Sequence, residues 1–463
     1  MKLFTLPPMK GSIFMEDTIC AISSSLGIGA ISIVRVTGSS AISIVDSIFD
    51  HDLNNALTHT IHYGHIKDNK QIIDEVLVMV MKGPKTYTTE DIIEINCHGG
   101  ISTTQKVLEM LLEKGARLAE PGEFTKRAYL NGRINLLEAE SVNDLIIAKT
   151  DAARTLAINN VDGKLSKQIS NLREKIAKIL ANIEVNIDYP EYTDELEVTN
   201  KLMHEYLSDI TKELNTLVDG AKNGRLIKEG VNLAIIGKPN VGKSSILNSL
   251  LDEEKAIVTN IPGTTRDTVE GTITINGVAI NLIDTAGIRD TNDLVEKIGV
   301  DKSKKTAENA DIILFVLNNN EKITNEEIDM LEKYNSDKLI VFVNKIDLEK
   351  KLILPENIKE PIYGNTISLD GLNLLKEAIK SKLNLQKIVN KDMSYLSNVR
   401  EIDLVKKAKE ALNNAQDNLN EGYPVDIIEI DLKRAWDYLG QVMGESYDGE
   451  LVDKIFSNFC LGK

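Results

Sequence analysis

The sequence predicts a multidomain α+β and α/β chain, in which an N-terminal α+β domain is followed by a helical domain with an α/β domain inserted into it. Its 463 residues exceed what one hydrophobic core usually supports, so roughly two to four domains are expected. From Thr18 to about Gly100, short β-rich runs such as Ala30–Val34 and Val76–Val80 alternate with turn residues and amphipathic helical stretches. From Val231 to Asn384, buried-looking strands (Leu233–Ile236, Ile312–Val316, Leu339–Val343) alternate with helical patterns. That alternation means a parallel-rich sheet covered by helices on both faces.

In chain order, residues 1–14 are expected to be a disordered leader or an upstream start. Pro7 and Pro8 end the short apolar run Leu3–Leu6, and Met15 opens the first structured stretch. Residues 15–134 form the N-terminal domain. A helical regime begins near Leu136, and Leu165, Ile169, Leu172, Ile176, Ile179, Ile183 and Ile187 recur at spacings of three and four, one face of a helix that ends before Tyr189-Pro190. The first helical part is residues 135–228, the inserted domain is 229–386, and the second helical part is 387–463. Leu404, Ala408, Ala411 and Ala415 line one stripe of that last part.

Hydrophobic residues at 42% and charged residues at 27% are ordinary for folded protein, and no apolar run reaches the roughly 18 residues of a membrane span. Cys20, Cys97 and Cys460 are odd in number and far apart, against a disulfide framework or zinc-type pairing and in keeping with a reducing, cytoplasmic setting. A net charge of −16 repels phosphate, so an RNA substrate would need a basic partner or a local patch to hold it.

The strand ending at Ile236 runs into Gly237-Lys238-Pro239-Asn240-Val241-Gly242-Lys243-Ser244-Ser245, a phosphate-loop pattern. Glycines let backbone N–H groups face the phosphates, Lys243 neutralises their charge, and the Ser244 hydroxyl ligates Mg²⁺. Asp284-Thr285-Ala286-Gly287 caps the strand Ile280–Ile283, where Asp284 can reach Mg²⁺ through water and the Gly287 amide can sense a γ-phosphate. Asn344-Lys345-Ile346-Asp347 caps a further strand. The Asp347 carboxylate can accept two hydrogen bonds from guanine, a pair that adenine does not offer. The loop behind the base is less regular, with Ser368-Leu369-Asp370 where this class usually has Ser-Ala-Lys. Ile288 stands where Ras-like GTPases carry a water-orienting glutamine, so another group must place the water. Together these parts define a Ras-like P-loop GTPase domain.

Gly263-Thr264-Thr265-Arg266-Asp267, the run Asp284-Thr285-Ala286-Gly287-Ile288-Arg289 and the terminal Phe459-Cys460-Leu461-Gly462-Lys463 together resemble the bacterial tRNA modification GTPase family MnmE, also called TrmE. Cys97-His98-Gly99-Gly100 and the run Pro121–Gly132 match its N-terminal patterns. The resemblance implies a K⁺-activated, Mg²⁺-dependent GTPase that forms a homodimer through its N-terminal domains and, with an FAD-carrying partner, a heterotetramer acting on tRNA. It implies that Asn240, Thr259, Ile261 and Thr264 ligate K⁺, that Ser244 and Thr265 hold Mg²⁺, and that Asn260, Pro262 and Gly263 complete the nucleotide loop. Glu296 matches the glutamate that positions the attacking water. Arg35, Glu94, Arg133 and Lys463 match contacts to a tetrahydrofolate derivative (5-formyl or 5,10-methylene), although the family usually has lysine at Arg133. Cys460, in the tail motif, is a candidate for a role in the modification. The implied outcome is a carboxymethylaminomethyl or aminomethyl group at C5 of the wobble uridine. The alternative is a ribosome-assembly GTPase without modification chemistry; a single phosphate loop and an acidic helical end argue against it.

Overall fold

The computed structural model describes residues 17–188, 193–253, 271–284, 307–308, 310–334, 337–366, 371–388, 393–445 and 449–463. Two compact units emerge: the described residues of Met1–Asn143, Val161–Tyr192 and Asn420–Lys463, and those of Asp144–Asn160 and Thr193–Leu419. None of the described helices is long and apolar enough to cross a membrane.

The first unit is built on a six-stranded sheet with strands β1 (Ile19–Ile22), β2 (Ile31–Thr37), β3 (Thr60–Asp68), β4 (Gln71–Met81), β5 (Ile92–His98) and β6 (Arg117–Leu118) in the order β3-β4-β5-β2-β1-β6. All pairs are antiparallel except β1–β6. Alternation buries one side of each strand: in β4 the residues Val76, Val78 and Val80 are buried while Glu75 and Leu77 are exposed. Helices Ala41–Asp46 and Ile101–Glu113 contribute Val45, Val107 and Leu111 to the same core. The expected one-sided helix is Lys164–Asp188. Leu165, Ile169, Leu172, Ile176, Ile179 and Ile183 are each at most 1% exposed, the side chain of Ile187 lies outside the described ones, and this helix packs on Val425–Met443.

One part of this unit is held by charge rather than oil. Arg127 is 1% exposed, and its guanidinium donates to Asp17 Oδ1 (2.8 Å), Glu90 Oε1 (3.2 Å) and Glu123 Oε1 (3.2 Å). Arg117 donates to Glu123 Oε1 at 2.6 Å and to Asp17 Oδ2 at 2.7 Å. Burial alone would raise the Glu123 carboxyl, but the Arg117 hydrogen bond, aided by an amide of Glu120 and by Arg127, carries it below the usual glutamate range. A carboxyl lowered on folding stabilises fully above its unfolded value and loses that contribution as pH falls through the folded one. Glu123→Gln is therefore expected to cost about 3 kcal/mol at pH 7, since it leaves a buried arginine short of a counter-charge. The gap to wild type should shrink in melts run below pH 4.5. A constant gap across that range would remove the ionic account.

The second unit carries a sheet of β7 (Val231–Ile236), β8 (Gly271–Ile275), β9 (Val278–Asp284), β10 (Ile312–Asn318), β11 (Leu339–Asn344) and β12 (Ile362–Tyr363), ordered β12-β11-β10-β7-β9-β8. Only β8–β9 is antiparallel. β10 and β11 are buried along their whole length, as a parallel sheet covered on both faces requires. The two apolar layers are distinct: Val316, Leu314 and Phe342 face one and Phe315, Leu317 and Val343 the other. The expected stripe Leu404, Ala408, Ala411 and Ala415 is buried on the helix Val399–Asn420.

Candidate functional site

β7 and its neighbours end at one edge of the parallel sheet, where open α/β sheets place their ligands. Gly237 and Gly242 have φ of 148° and 103°, in the left-handed range that favours glycine. A Cβ on Gly237 would lie 2.4 Å from the Val316 carbonyl oxygen, and one on Gly242 would lie 2.2 Å from Asn344 Nδ2. These close approaches let the loop turn tightly into the helix Lys243–Glu253, whose N-terminus favours an anion. The Lys243 side chain folds back over the loop and donates from Nζ to the carbonyls of Gly237 (2.8 Å) and Lys238 (2.7 Å). Ser244 and Ser245 are exposed on the first turn, and Asn240 is exposed at φ 63°.

The Asn344–Asp347 turn is locked to this loop. Asn344 donates from Nδ2 to Val241 O at 2.8 Å and accepts at Oδ1 from the Thr366 amide at 3.2 Å. Lys345, at φ 61°, donates from Nζ to Asn240 O at 2.7 Å. Asp347 is exposed beyond them. The backbone of Asp284 pairs in register with Ile235, placing the end of β9 beside the start of the loop. Thr366 and the Lys345 clasp were not read from the sequence; the only signal for Thr366 was its place just ahead of Ser368. Thr259, Asn260, Ile261, Pro262, Gly263, Thr264, Thr265, Thr285, Ala286, Gly287, Ile288, Glu296, Ser368, Leu369, Asp370 and the leader 1–14 lie outside the described residues.

A second group of residues gathers in the first unit. Arg35 and Glu94 are opposite each other on β2 and β5, and Arg35 Nε donates to Glu94 Oε1 at 2.7 Å. Arg35 Nη1 also donates to Gly462 O at 3.0 Å, and Ser23 Oγ donates to the same oxygen at 3.2 Å. The Gly122 amide donates to Cys460 O and the Phe124 amide to Lys463 O, both at 3.2 Å. Gly462 has φ 84° and its missing Cβ would lie 2.6 Å from Ile22 O. The terminal Cys-Leu-Gly-Lys is thus anchored on the N-terminal domain by both its own backbone and Arg35. Burial, then the neighbouring Arg35, hold the Lys463 ammonium below its usual value against the pull of Glu94 and Cys460. Cys460 is exposed, whereas burial pushes the Cys20 and Cys97 thiols up to about 12. Arg133 is exposed, 4.7 Å above the Tyr87 ring, and lines an open cleft of about 580 Å³ with Lys85 and Tyr87.

A glycine-pinched phosphate loop at a parallel sheet edge, clasped by an Asn-Lys-x-Asp turn, defines a P-loop guanine-nucleotide-binding protein. The family description "MnmE helical domain" matches residues 136–460 and "GTP-binding protein TrmE N-terminus" matches residues 18–133. The chain is 48% identical over 458 residues to the tRNA modification GTPase MnmE of Staphylococcus aureus strain Newman and to that of strain JH9, covering 96% of this chain and 99% of each relative. Among solved structures, the G domain of the T. maritima FeoB iron transporter is 31% identical, covering 33% of this chain and 98% of its own, at a TM-score of 0.26. The chain belongs to the tRNA modification GTPase MnmE family.

Proposed function

We propose that this chain is a K⁺-activated GTPase that works in the cytoplasm as a homodimer and, with an FAD-dependent partner, adds a carboxymethylaminomethyl or aminomethyl group at C5 of the tRNA wobble uridine. The one-carbon unit comes from a tetrahydrofolate derivative. The coarser reading, a GTP hydrolase of tRNA modification, rests on identity to relatives of that name across 96% of the chain and carries the proposal.

The described residues fit the nucleotide. Loop glycines with no room for a Cβ bring peptide N–H groups to the phosphates, Lys243, held by the Gly237 and Lys238 carbonyls, presents its ammonium to them, and Asp347 pairs with guanine. Ser244 and Thr265 would hold Mg²⁺, and Asn240, Thr259, Ile261 and Thr264 would hold K⁺; both cations supply positive charge against the phosphates. Ser244 and Asn240 are exposed at the loop mouth as such roles need. Glu296 would orient the water. In the first unit, the Glu94 carboxylate offers a pair of acceptors to a pterin edge, and Lys463 and Arg133 offer donors to the glutamyl carboxylates of a folate.

Two measurements test this. Mass spectrometry of tRNA nucleosides from a deletion strain should show the wobble modification lost and restored by this chain; unaltered nucleosides would end the modification reading. GTP hydrolysis should be much faster in K⁺ than in Na⁺, because the smaller ion cannot span Asn240 and the loop carbonyls. Equal rates in the two salts would remove the potassium sites.

A further inference from the structure

We infer that Asn319 is a specificity-determining positioning residue of the nucleotide site: it fastens from behind the turn that carries Asp347, so that both carboxylate oxygens meet guanine together. The inference rests on the reading of Asp347 as the guanine acceptor and extends it to the residue that sets the turn.

The turn lacks an apolar anchor. β11 ends at Asn344, and beyond it Ile346 is 40% and Leu348 43% exposed, with Asp347, Glu349 and Lys350 exposed as well. Burial does not hold these residues, so the direction of Asp347 has to come from hydrogen bonds. Asn344 and Lys345 tie the front of the turn to the phosphate loop, and the Leu348 amide donates to Lys345 O at 3.1 Å. The rear is tied by the residue that follows β10. Asn319 Nδ2 donates to Leu348 O at 3.1 Å, on the residue directly after Asp347. Its backbone takes the two ends of the same segment: Asn319 N donates to Asn344 O at 2.9 Å, and Asn319 O accepts from the amides of Lys351 (2.8 Å) and Leu352 (3.1 Å). One residue thus holds the segment from Asn344 to Leu352 at its start, middle and end.

Asn319 is itself fixed in place. The run Asn318-Asn319-Asn320 reads as a solvated turn, yet Asn318 is 6% and Asn319 5% exposed, and a buried amide is tolerated only when it is hydrogen-bonded. Asn318, in register with Asn344 on the neighbouring strand, accepts at Oδ1 from the Asn320 amide at 3.1 Å and donates from Nδ2 to Glu321 Oε1 at 2.5 Å. Those bonds shape the turn that delivers Asn319. Substituting Asn319 leaves its three backbone bonds in reach and removes only the side-chain bond to Leu348, so the turn survives but tilts at Asp347. Guanine offers N1–H and an exocyclic amine to that carboxylate and needs both oxygens aligned. Hypoxanthine offers the N1–H alone and tolerates the tilt.

The test is titration of the full-length protein with GTP and with inosine triphosphate, which lacks the amine. Wild type should bind GTP at least about tenfold tighter, the gain from one hydrogen bond to a charged group. Asn319→Ala should weaken GTP about tenfold and inosine triphosphate by no more than about twofold, so that the preference falls about fivefold. Turnover at saturating GTP should stay within about twofold, because the phosphate end is untouched. Asn319→Asp, close in shape but without the donor, should lose the preference likewise, which separates the hydrogen bond from packing. Asn320→Ala should keep the wild-type preference, since Asn320 Oδ1 has no hydrogen-bond partner among the described residues. A preference unmoved by Asn319→Ala, two nucleotides weakened equally, a wild-type preference in Asn319→Asp, or the same loss in Asn320→Ala each overturns the inference while leaving Asp347 as the guanine acceptor. Wild-type protein that binds the two nucleotides alike overturns the reading of Asp347 itself.

Discussion

Replacing Lys243 by alanine is expected to slow GTP hydrolysis by about 10²–10³-fold, the usual loss on removing one fixed donor aimed at transition-state charge. The residue is 8% exposed, and its ammonium rests 2.7–2.8 Å from two loop carbonyls, so it is held in place before any phosphate arrives. The charge developing on the transferring phosphoryl group then meets a donor that needs no reorganisation. Arginine should not rescue the variant, because a planar guanidinium cannot occupy the position of a compact ammonium between those carbonyls. Single-turnover hydrolysis with a parallel nucleotide titration gives the readout. A loss below about threefold would mean that Lys243 serves only the folded loop.

Glu296→Ala is expected to lower the hydrolysis rate by a factor of about 10²–10⁴, the range for a positioned base or water-orienting group. Ile288 occupies the place of the usual glutamine and cannot hold water, so another group must place the nucleophile, and Glu296 is the one the family resemblance offers. Nucleotide affinity should barely change, since the group acts on the transition state and not on bound GTP. Single-turnover rates in saturating K⁺ separate the two effects. A rate that falls only in step with affinity would make Glu296 a surface residue.

Much of the inserted domain was legible because its signals are contiguous. A buried strand in a parallel sheet is a short unbroken apolar run, and Leu233–Ile236, Ile312–Val316 and Leu339–Val343 all fall within the observed β7, β10 and β11. The helix Lys164–Asp188 was equally plain, since its spacing of three and four reports one buried face directly. Arg127 was not legible as anything but a member of a motif. Its burial among Asp17, Glu90 and Glu123 joins segments from three parts of the chain, and hydropathy reads a lone arginine as surface.

By itself the sequence determined the nucleotide class, because each chemical part of that site is a local pattern at a strand end: Gly237–Ser245, Asp284–Gly287 and Asn344–Asp347. It also determined the family, through motifs spread from Cys97 to Lys463. Only the tertiary structure decided how those parts meet. Asn344 and Lys345 clasp the carbonyls of Val241 and Asn240 across 103 and 105 residues of chain. Arg35 spends itself on Glu94 and on the carbonyl of Gly462, 427 residues away. Lys85 and Arg133 come to one cleft with no carboxylate between them. Periodicity and propensity act over a few residues, whereas a hydrogen bond across hundreds of residues exists only after the sheets have brought its two ends together.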